Sequence, residues 1–265
     1  MANSEDKFNA VRDMLRGSGT LVAFSGGVDS TVLALLAKEA AAKVVLLTVL
    51  SQVVPAADHA SAEMVARELS ITHRVVTFDW LGQKELSRNR EDRCYQCKRA
   101  LGRLWLTEAS KMGLSRVVEG TTASETEGRR PGLRALAELG IESPLLKAGI
   151  RKEEVRTFAR ANGLSVHNRP SMACLATRFP YGTTITAEGL SAVAQMESAA
   201  REILGVVCVR ARAHGDVARL EIAPQEMERA FDIDRLRALD EAGRKAGFKY
   251  VTIDARGYRT GSMDE

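Results

Sequence analysis

Aromatic residues make up only 5% of this 265-residue chain, its lysines and arginines form no dense block, and its longest apolar run is VVLLTVL at 44–50. Each shortage removes a class of function. Sparse aromatics without a basic patch argue against a surface that stacks bases and tracks a phosphate backbone. An apolar run that short is far below the ~20 residues a bilayer-spanning helix needs. The opening MANSEDKFNAVRDML lacks the basic and apolar regions of a secretory leader. The expected setting is therefore cytoplasmic, with neither membrane nor nucleic acid as partner. Cysteine is also scarce, at four residues, and in such a setting cysteines serve metal or catalysis more often than disulfides. No GxxxxGK[ST] and no GxGxxG occurs, which sets aside the Walker and Rossmann phosphate loops. The formal charge of +4 suits small anionic ligands without singling out a polyanion.

What is present is a regular alternation. TLVAF (20–24), KVVLLTVL (43–50), HRVVTF (73–78) and SRVVEG (115–120) read as strands, and the second is apolar throughout, as in a strand covered on both faces. Helical patterns fall between them, from Ser30 to about Ala42, near 58–70, and from about Cys97 to Met112. Strand–helix alternation implies βαβ units and a parallel sheet. After Pro170 the pattern changes. VVCVRARAHGDVARLEIA (206–223) reads as two alternating strands joined at Gly-Asp, followed by the helices MERAF and DRLRALDEAGRKAG and a strand, KYVTID. The fold class is α/β, with a parallel-sheet domain over residues 1–170 and a joint segment plus a small α+β domain over 171–265. Cys174 would then lie in the joint, where ligand sites often form.

AFSGGVDST (23–31) is the most specific local signal. Gly26 and Gly27 let the backbone curl around an anion, and the helix that follows offers free N–H groups and its positive dipole end. Ser25 and Ser30 add hydroxyls, Val28 continues the loop, and Asp29 is placed to hold Mg²⁺ against phosphates. A bare glycine turn needs none of these neighbours. SGGVDS resembles the pyrophosphate loop of the N-type ATP pyrophosphatases, which cleave ATP to AMP and pyrophosphate while adenylating a substrate oxygen.

The cysteines leave alternatives. Cys94 and Cys97, in RCYQCK, form a C-x-x-C just ahead of a helix, which suits a redox dithiol, half a metal site, or plain packing. With no second C-x-x-C, Cys174 is the available third ligand. Three thiolates leave one iron of a [4Fe–4S] cluster open, whereas three thiolates with His167 would suit zinc. Cys208, in an alternating apolar strand, reads as core.

Several strings in a fixed order widen the resemblance. SGGVDS (25–30), RCYQCK (93–98), RRPGLRALAELGIESPL (129–145), ACLATRFPYG (173–182), RARAHGDVARLEI (210–222) and GYRTGSMDE (257–265) together resemble the LarE family, ATP-dependent sulfur transferases of nickel-pincer nucleotide synthesis. The resemblance implies an adenine nucleotide alpha hydrolase-like fold. It implies adenylation of each carboxylate of pyridinium-3,5-biscarboxylic acid mononucleotide, followed by displacement of AMP by sulfur. In one-cysteine members the cysteine surrenders its sulfur and becomes dehydroalanine, whereas three-cysteine members hold a [4Fe–4S] cluster. Cys174 matches the shared cysteine and Cys94 and Cys97 the extra pair, so the cluster type is expected, with ATP and Mg²⁺ as cofactors and a closed homo-oligomer, commonly a hexamer. One stretch departs: Thr122, Ser124 and Glu125 stand where the family carries an amide and carboxylates.

Arg210 and Arg212, two apart on a strand, share a face and present two forks suited to a phosphate or carboxylates, with Glu221 across the hairpin. A basic solvent face is the plainer alternative. Arg178, four residues after Cys174, is placed to bind an acyl-adenylate or keep the thiol ionised. Lys98 is placed either to lower a neighbouring thiol's pKa or bind phosphate, or as a solvated helix-start lysine, and Arg130 as a turn residue. Two other functions use the same features: a tRNA thiolase, which would need an RNA surface, and a non-catalytic ATP-binding module, which would release no pyrophosphate.

Overall fold

The computed structural model describes residues 4–126, 131–169, 173–259 and 261–263. Arg130 and the 170–172 stretch, where the domain boundary is expected, lie outside the described residues. The chain divides into two compact units. The first comprises residues 1–51, 56–78 and 92–172, and the second 52–55, 79–91 and 173–265. Segments 52–55 and 79–91 thus join the second unit, although the sequence pattern leaves them within the first domain.

In chain order the elements are α1 (Ser4–Leu15), β1 (Gly19–Ala23), α2 (Val28–Ala40), β2 (Lys43–Leu50), α3 (Ala56–Leu69), β3 (Thr72–Thr77), α4 (Lys84–Ser87), α5 (Arg93–Lys111), β4 (Arg116–Val118), α6 (Pro131–Glu138), α7 (Pro144–Lys147), α8 (Lys152–Ala161), α9 (Ala187–Leu204), β5 (Val209–His214), β6 (Val217–Ile222), α10 (Ile233–Ala246) and β7 (Tyr250–Ile253). The expected strands of the first domain all form. The helix expected from Cys97 starts earlier, at Arg93, so the C-x-x-C lies inside its first two turns rather than ahead of it. Residues 227–230 of MERAF belong to a 3₁₀ stretch, Pro224–Ala230, capped by Phe231, instead of an α-helix.

The first unit is built on a four-stranded sheet of order β3-β2-β1-β4, parallel throughout. Side chains alternate across it, as the two-residue period of a strand requires. Val22 and Leu46 enter one core with Phe8, Val11 and Leu15 of α1, the apolar face of α2, Val65 and Leu69 of α3, and Val155 and Phe158 of α8. Leu21, Val45 and Leu47 enter the other, with Trp105 and Ala109 of α5 and Leu136 of α6. This two-sided cover explains why β2 reads as an unbroken apolar run. Burying both faces of β1 and β2 holds the carboxyl end of β1 still, and that is where ligands bind in open parallel sheets.

The second unit has a three-stranded sheet of order β5-β6-β7, with β5 antiparallel and β7 parallel to β6. Thr186 caps α9 by accepting from Gly189 N at 3.1 Å, and Asp232 caps α10 through the amides of Asp234 and Arg235. The two inserted segments are stitched to the stretch after residue 173. Leu175 N donates to Val53 O (2.9 Å), Ile185 N to Ser87 O (2.8 Å) and Gly182 N to Asn89 O (2.9 Å).

Leu46 is fully buried at the centre of β2. Leu46→Ala should destabilise the first unit by about 2–5 kcal/mol, seen as a lower urea midpoint with an unchanged slope.

Candidate active site

The loop after β1 is built from the strand outward. Phe24 N donates to Leu47 O (2.9 Å), carrying the sheet ladder one residue past β1, and the chain then turns sharply at Gly26, whose φ is +70°. A Cβ at Gly26 would lie 2.5 Å from Ala62 Cα in α3, so both the conformation and the space demand glycine. Gly27 caps α2 without a side-chain hydrogen bond from its own residue. Its carbonyl accepts from Ser30 Oγ (3.0 Å) and Thr31 Oγ1 (2.9 Å), and Ser25 Oγ lies 3.2 Å from Ser30 Oγ. Hydroxyls therefore brace the loop's carbonyl from inside, and the opening N–H groups of α2 are left for an anion.

Asp29 sits in the first turn of α2. Its Oδ2 pairs with Lys152 Nζ, and its Oδ1 is buried with no hydrogen-bond partner among the described residues. A buried, unsatisfied carboxylate oxygen at an anion loop has the chemistry of a cation ligand. On the other flank Gly120, just past β4, comes so close that a Cβ there would lie 2.9 Å from Ser30 N. Arg169 ties the loop from α3's side. Its Nη1 donates to Gly26 O (3.3 Å) and to Ser61 Oγ, and its Nη2 pairs with Asp58 at 2.9 Å. Arg156 of α8 donates to the carbonyls of His167 and Arg169, both at 2.8 Å, fixing that segment in turn.

Lys152 and Arg169 carry no motif, and sequence reasoning misses both. Lys152 is a helix-start lysine like many others, and only the folding of α8 back to α2 brings it to Asp29. The departing loop contributes here. Ser124 Oγ accepts from Lys152 N (3.0 Å), so the residue at the position of the expected carboxylate binds the first amide of α8. Thr121 Oγ1 donates to the buried Glu119 (2.8 Å), and Thr122 is fully buried.

Cys94 and Cys97 lie one turn apart on α5, both half-buried, with Arg93 Nη2 3.7 Å from Cys94 Sγ. Lys98 is half-buried, its ammonium over the Trp105 ring at 5.4 Å. Cys174 belongs to the second unit and is also half-buried, and none of the four cysteines is in a disulfide. Among the described residues no group of three or more His, Cys, Asp or Glu side chains is arranged to hold a metal. The donor chemistry of three thiols suits an iron–sulfur cluster. His167 is engaged with its own turn, Nδ1 lying 3.0 Å from Leu164 O. Cys208 is half-buried, and burial pushes its thiol up, so it stays protonated at neutral pH.

In the second unit Arg210, Arg212 and Glu221 are brought together. Arg210 pairs in register with Glu221 across the hairpin, and Arg212 contacts Glu221 Oε2 through Nε (3.0 Å) and Nη2 (2.7 Å). All three are buried, which excludes the basic solvent face as their setting. Arg210 lies over the Tyr258 ring at 5.3 Å, Arg212 also reaches Ser262 Oγ (3.0 Å), and Arg219 pairs with Glu221 Oε1 at 3.1 Å. Arg178 is 2% exposed and grips Glu197 with two nitrogens.

Comparison with known proteins places this geometry. The family model for queuosine biosynthesis protein QueC matches residues 19–96, which run from β1 into the first turn of α5. An uncharacterised protein of Synechocystis is 34% identical over 92% of this chain and 91% of its own length. The pyridinium-3,5-bisthiocarboxylic acid mononucleotide synthase of Lactiplantibacillus plantarum is 31% identical over 97% of this chain and 91% of its own length. The chain belongs to the LarE family. An uncharacterised protein of Methanocaldococcus jannaschii is 26% identical over 95% of both chains. As a LarE-family member with a PP-loop domain, the chain is an ATP-dependent sulfurtransferase, and ATP and Mg²⁺ follow from that class. The unpartnered Asp29 Oδ1 beside the glycine turn fits a magnesium ion bound with nucleotide. No described helix is long and apolar enough to cross a membrane.

Gly26→Ala would force a positive φ on alanine and drive Cβ into α3. Calorimetric titration should show ATP affinity lost, together with destabilisation of more than about 1 kcal/mol. Retained affinity would place the nucleotide elsewhere.

Proposed function

We propose that this chain converts the carboxylates of pyridinium-3,5-biscarboxylic acid mononucleotide to thiocarboxylates, one ATP per carboxylate. The observation that carries the reading is the likeness to the synthase over 97% of the chain, which includes the glycine turn, Asp29 and Cys174. A carboxylate is a poor electrophile, and transfer of AMP to it installs a leaving group. In this reading Ser25, Gly26, Gly27, Val28, Asp29 and Ser30 bind the departing pyrophosphate. A magnesium ion at Asp29 supplies charge neutralisation on the phosphates. Lys152 joins the same site, its ammonium beside Asp29.

Arg210, Arg212 and Glu221 form the substrate subsite, with Glu221 holding the Arg212 fork in place. Cys174 delivers sulfur. Its thiolate attacks the acyl-adenylate and expels AMP, leaving a thioester. Loss of the residue's Cα proton and cleavage of its Cβ–S bond then release the thiocarboxylate and leave dehydroalanine at position 174. A second reading is favoured by the thiol pair on α5: Cys94, Cys97 and Cys174 ligate a [4Fe–4S] cluster, and residue 174 survives turnover. Family likeness adds a closed homo-oligomer, a hexamer, to the proposal. A light-scattering mass equal to the monomer would contradict it.

Cys174→Ala should form no thiocarboxylate while still releasing pyrophosphate in the presence of substrate, and parent-level transfer by this variant would sink the proposal. Iron analysis of protein purified without oxygen, paired with intact mass after turnover, separates the two readings. About four irons and an unchanged mass favour the cluster, whereas iron-free protein lighter by the elements of H₂S favours the sacrificial cysteine.

A further inference from the structure

Glu197 is assigned no role by the active-site reading, yet it is a carboxylate on the buried stripe of α9, among Leu190, Val193, Met196 and Ala200. An ionised group in that position is costly unless it is paired and hydrogen-bonded. It is both. Oε1 accepts from Arg178 Nε (2.6 Å) and Ala211 N (3.2 Å), and Oε2 accepts from Arg178 Nη2 (3.2 Å). The arginine's remaining nitrogen is turned the other way. Nη1 donates to Thr177 Oγ1 (2.8 Å) and to the carbonyl of Cys174 (3.3 Å).

That carbonyl is heavily engaged. It also accepts from Thr177 N (3.0 Å) and Thr177 Oγ1 (2.8 Å), which closes the 3₁₀ turn Leu175–Arg178 directly after the cysteine. From the opposite side Arg212 Nη1 donates to Thr177 O at 3.0 Å. One carboxylate therefore joins three pieces: α9, the turn that carries Cys174, and, through Ala211 N, the strand between Arg210 and Arg212.

We propose that Glu197 is a positioning residue that, through Arg178, holds Cys174 in register with the Arg210/Arg212 strand. The inference rests on Cys174 being the residue where sulfur is delivered. Arg178 is then not a substrate ligand: all three of its guanidinium nitrogens are engaged, by Glu197, Thr177 and the cysteine's own backbone. A pair needed only to tether the turn would be served as well by apolar packing of similar volume, which is often neutral or more stable than a buried ion pair. The fork adds direction, because a planar guanidinium held by two oxygens fixes where its third nitrogen points.

The test compares Glu197→Gln and Arg178→Lys with the parent protein. Cys174 alkylation by iodoacetamide is followed by peptide mass spectrometry, with Cys94 and Cys97 of the first unit as internal references. Pyrophosphate release and thiocarboxylate formation are measured in parallel. In variants with parent-like circular dichroism, the expected results are several-fold faster alkylation of Cys174 alone, retained pyrophosphate release and a roughly 100-fold loss of sulfur transfer. Unchanged alkylation and unchanged transfer in a folded variant would overturn the proposal. Equal losses of pyrophosphate release and transfer, tracking a lost fold, would also overturn it by showing a purely structural tether. Should Glu197→Gln fail to fold, Arg178→Lys, which keeps the charge and loses the fork, gives the same readouts. Should Cys174→Ala still transfer sulfur, the functional reading fails separately, and the alkylation rates still decide whether Glu197 positions the cysteine.

Discussion

The turn after β1 depends on close backbone approach from two sides. A single Cβ at Gly26 would meet the backbone of α3, and one at Gly120 would meet the first turn of α2. Because neither is present, α2 can start directly beneath the strand end and direct its opening amides at one point. Everything else in the first unit serves that placement. β1 and β2 are buried on both faces, so the strand end does not move, and Arg169 and Lys152 draw α3 and α8 onto the loop by charge. Asp29 Oδ1, at the start of α2, is among the buried oxygens left without a hydrogen-bond partner in the described residues.

The second unit solves a different problem with buried ion pairs. Arg178–Glu197 and Arg212–Glu221 lie almost wholly out of water. Buried pairs of this kind are weak contributors to net stability, because desolvation offsets most of the attraction. What they supply is direction: each carboxylate holds a fork, and the fork's free nitrogens reach the turn beside Cys174, from Arg178 on one side and Arg212 on the other. In the proposed reaction Cys174 has to meet an activated carboxyl carbon, and that calls for a defined backbone more than a low-energy one.

The departing loop shows how a substitution is absorbed. Where the family resemblance led to the expectation of a carboxylate, this chain has Ser124, and its hydroxyl accepts from the first amide of α8. A short polar side chain suits that task because it bonds a neighbouring backbone amide at little conformational cost. The change therefore acts at the start of α8, where Lys152 stands.

Much of this was legible in the residues. Strand positions, the parallel sheet and the glycine turn follow from local patterns: a strand buried on both faces must be apolar throughout, and an anion loop must have glycine. The order of motifs along the chain pointed to sulfur transfer, and Asp29 and Cys174 stand out by their places in those motifs. Lys152, Arg169 and Glu197 were not legible, since an isolated charge in a helix or loop has the same sequence appearance whether it faces water or a partner elsewhere in the chain, which for Lys152 and Arg169 lies over a hundred residues away. α9 hid Glu197 in a stripe that reads as apolar packing, and the alternation at Arg210 and Arg212 fits a solvent face as well as a buried one. Pattern determines which residues share a face. Only tertiary packing decides what that face meets, because the partner arrives from another part of the chain.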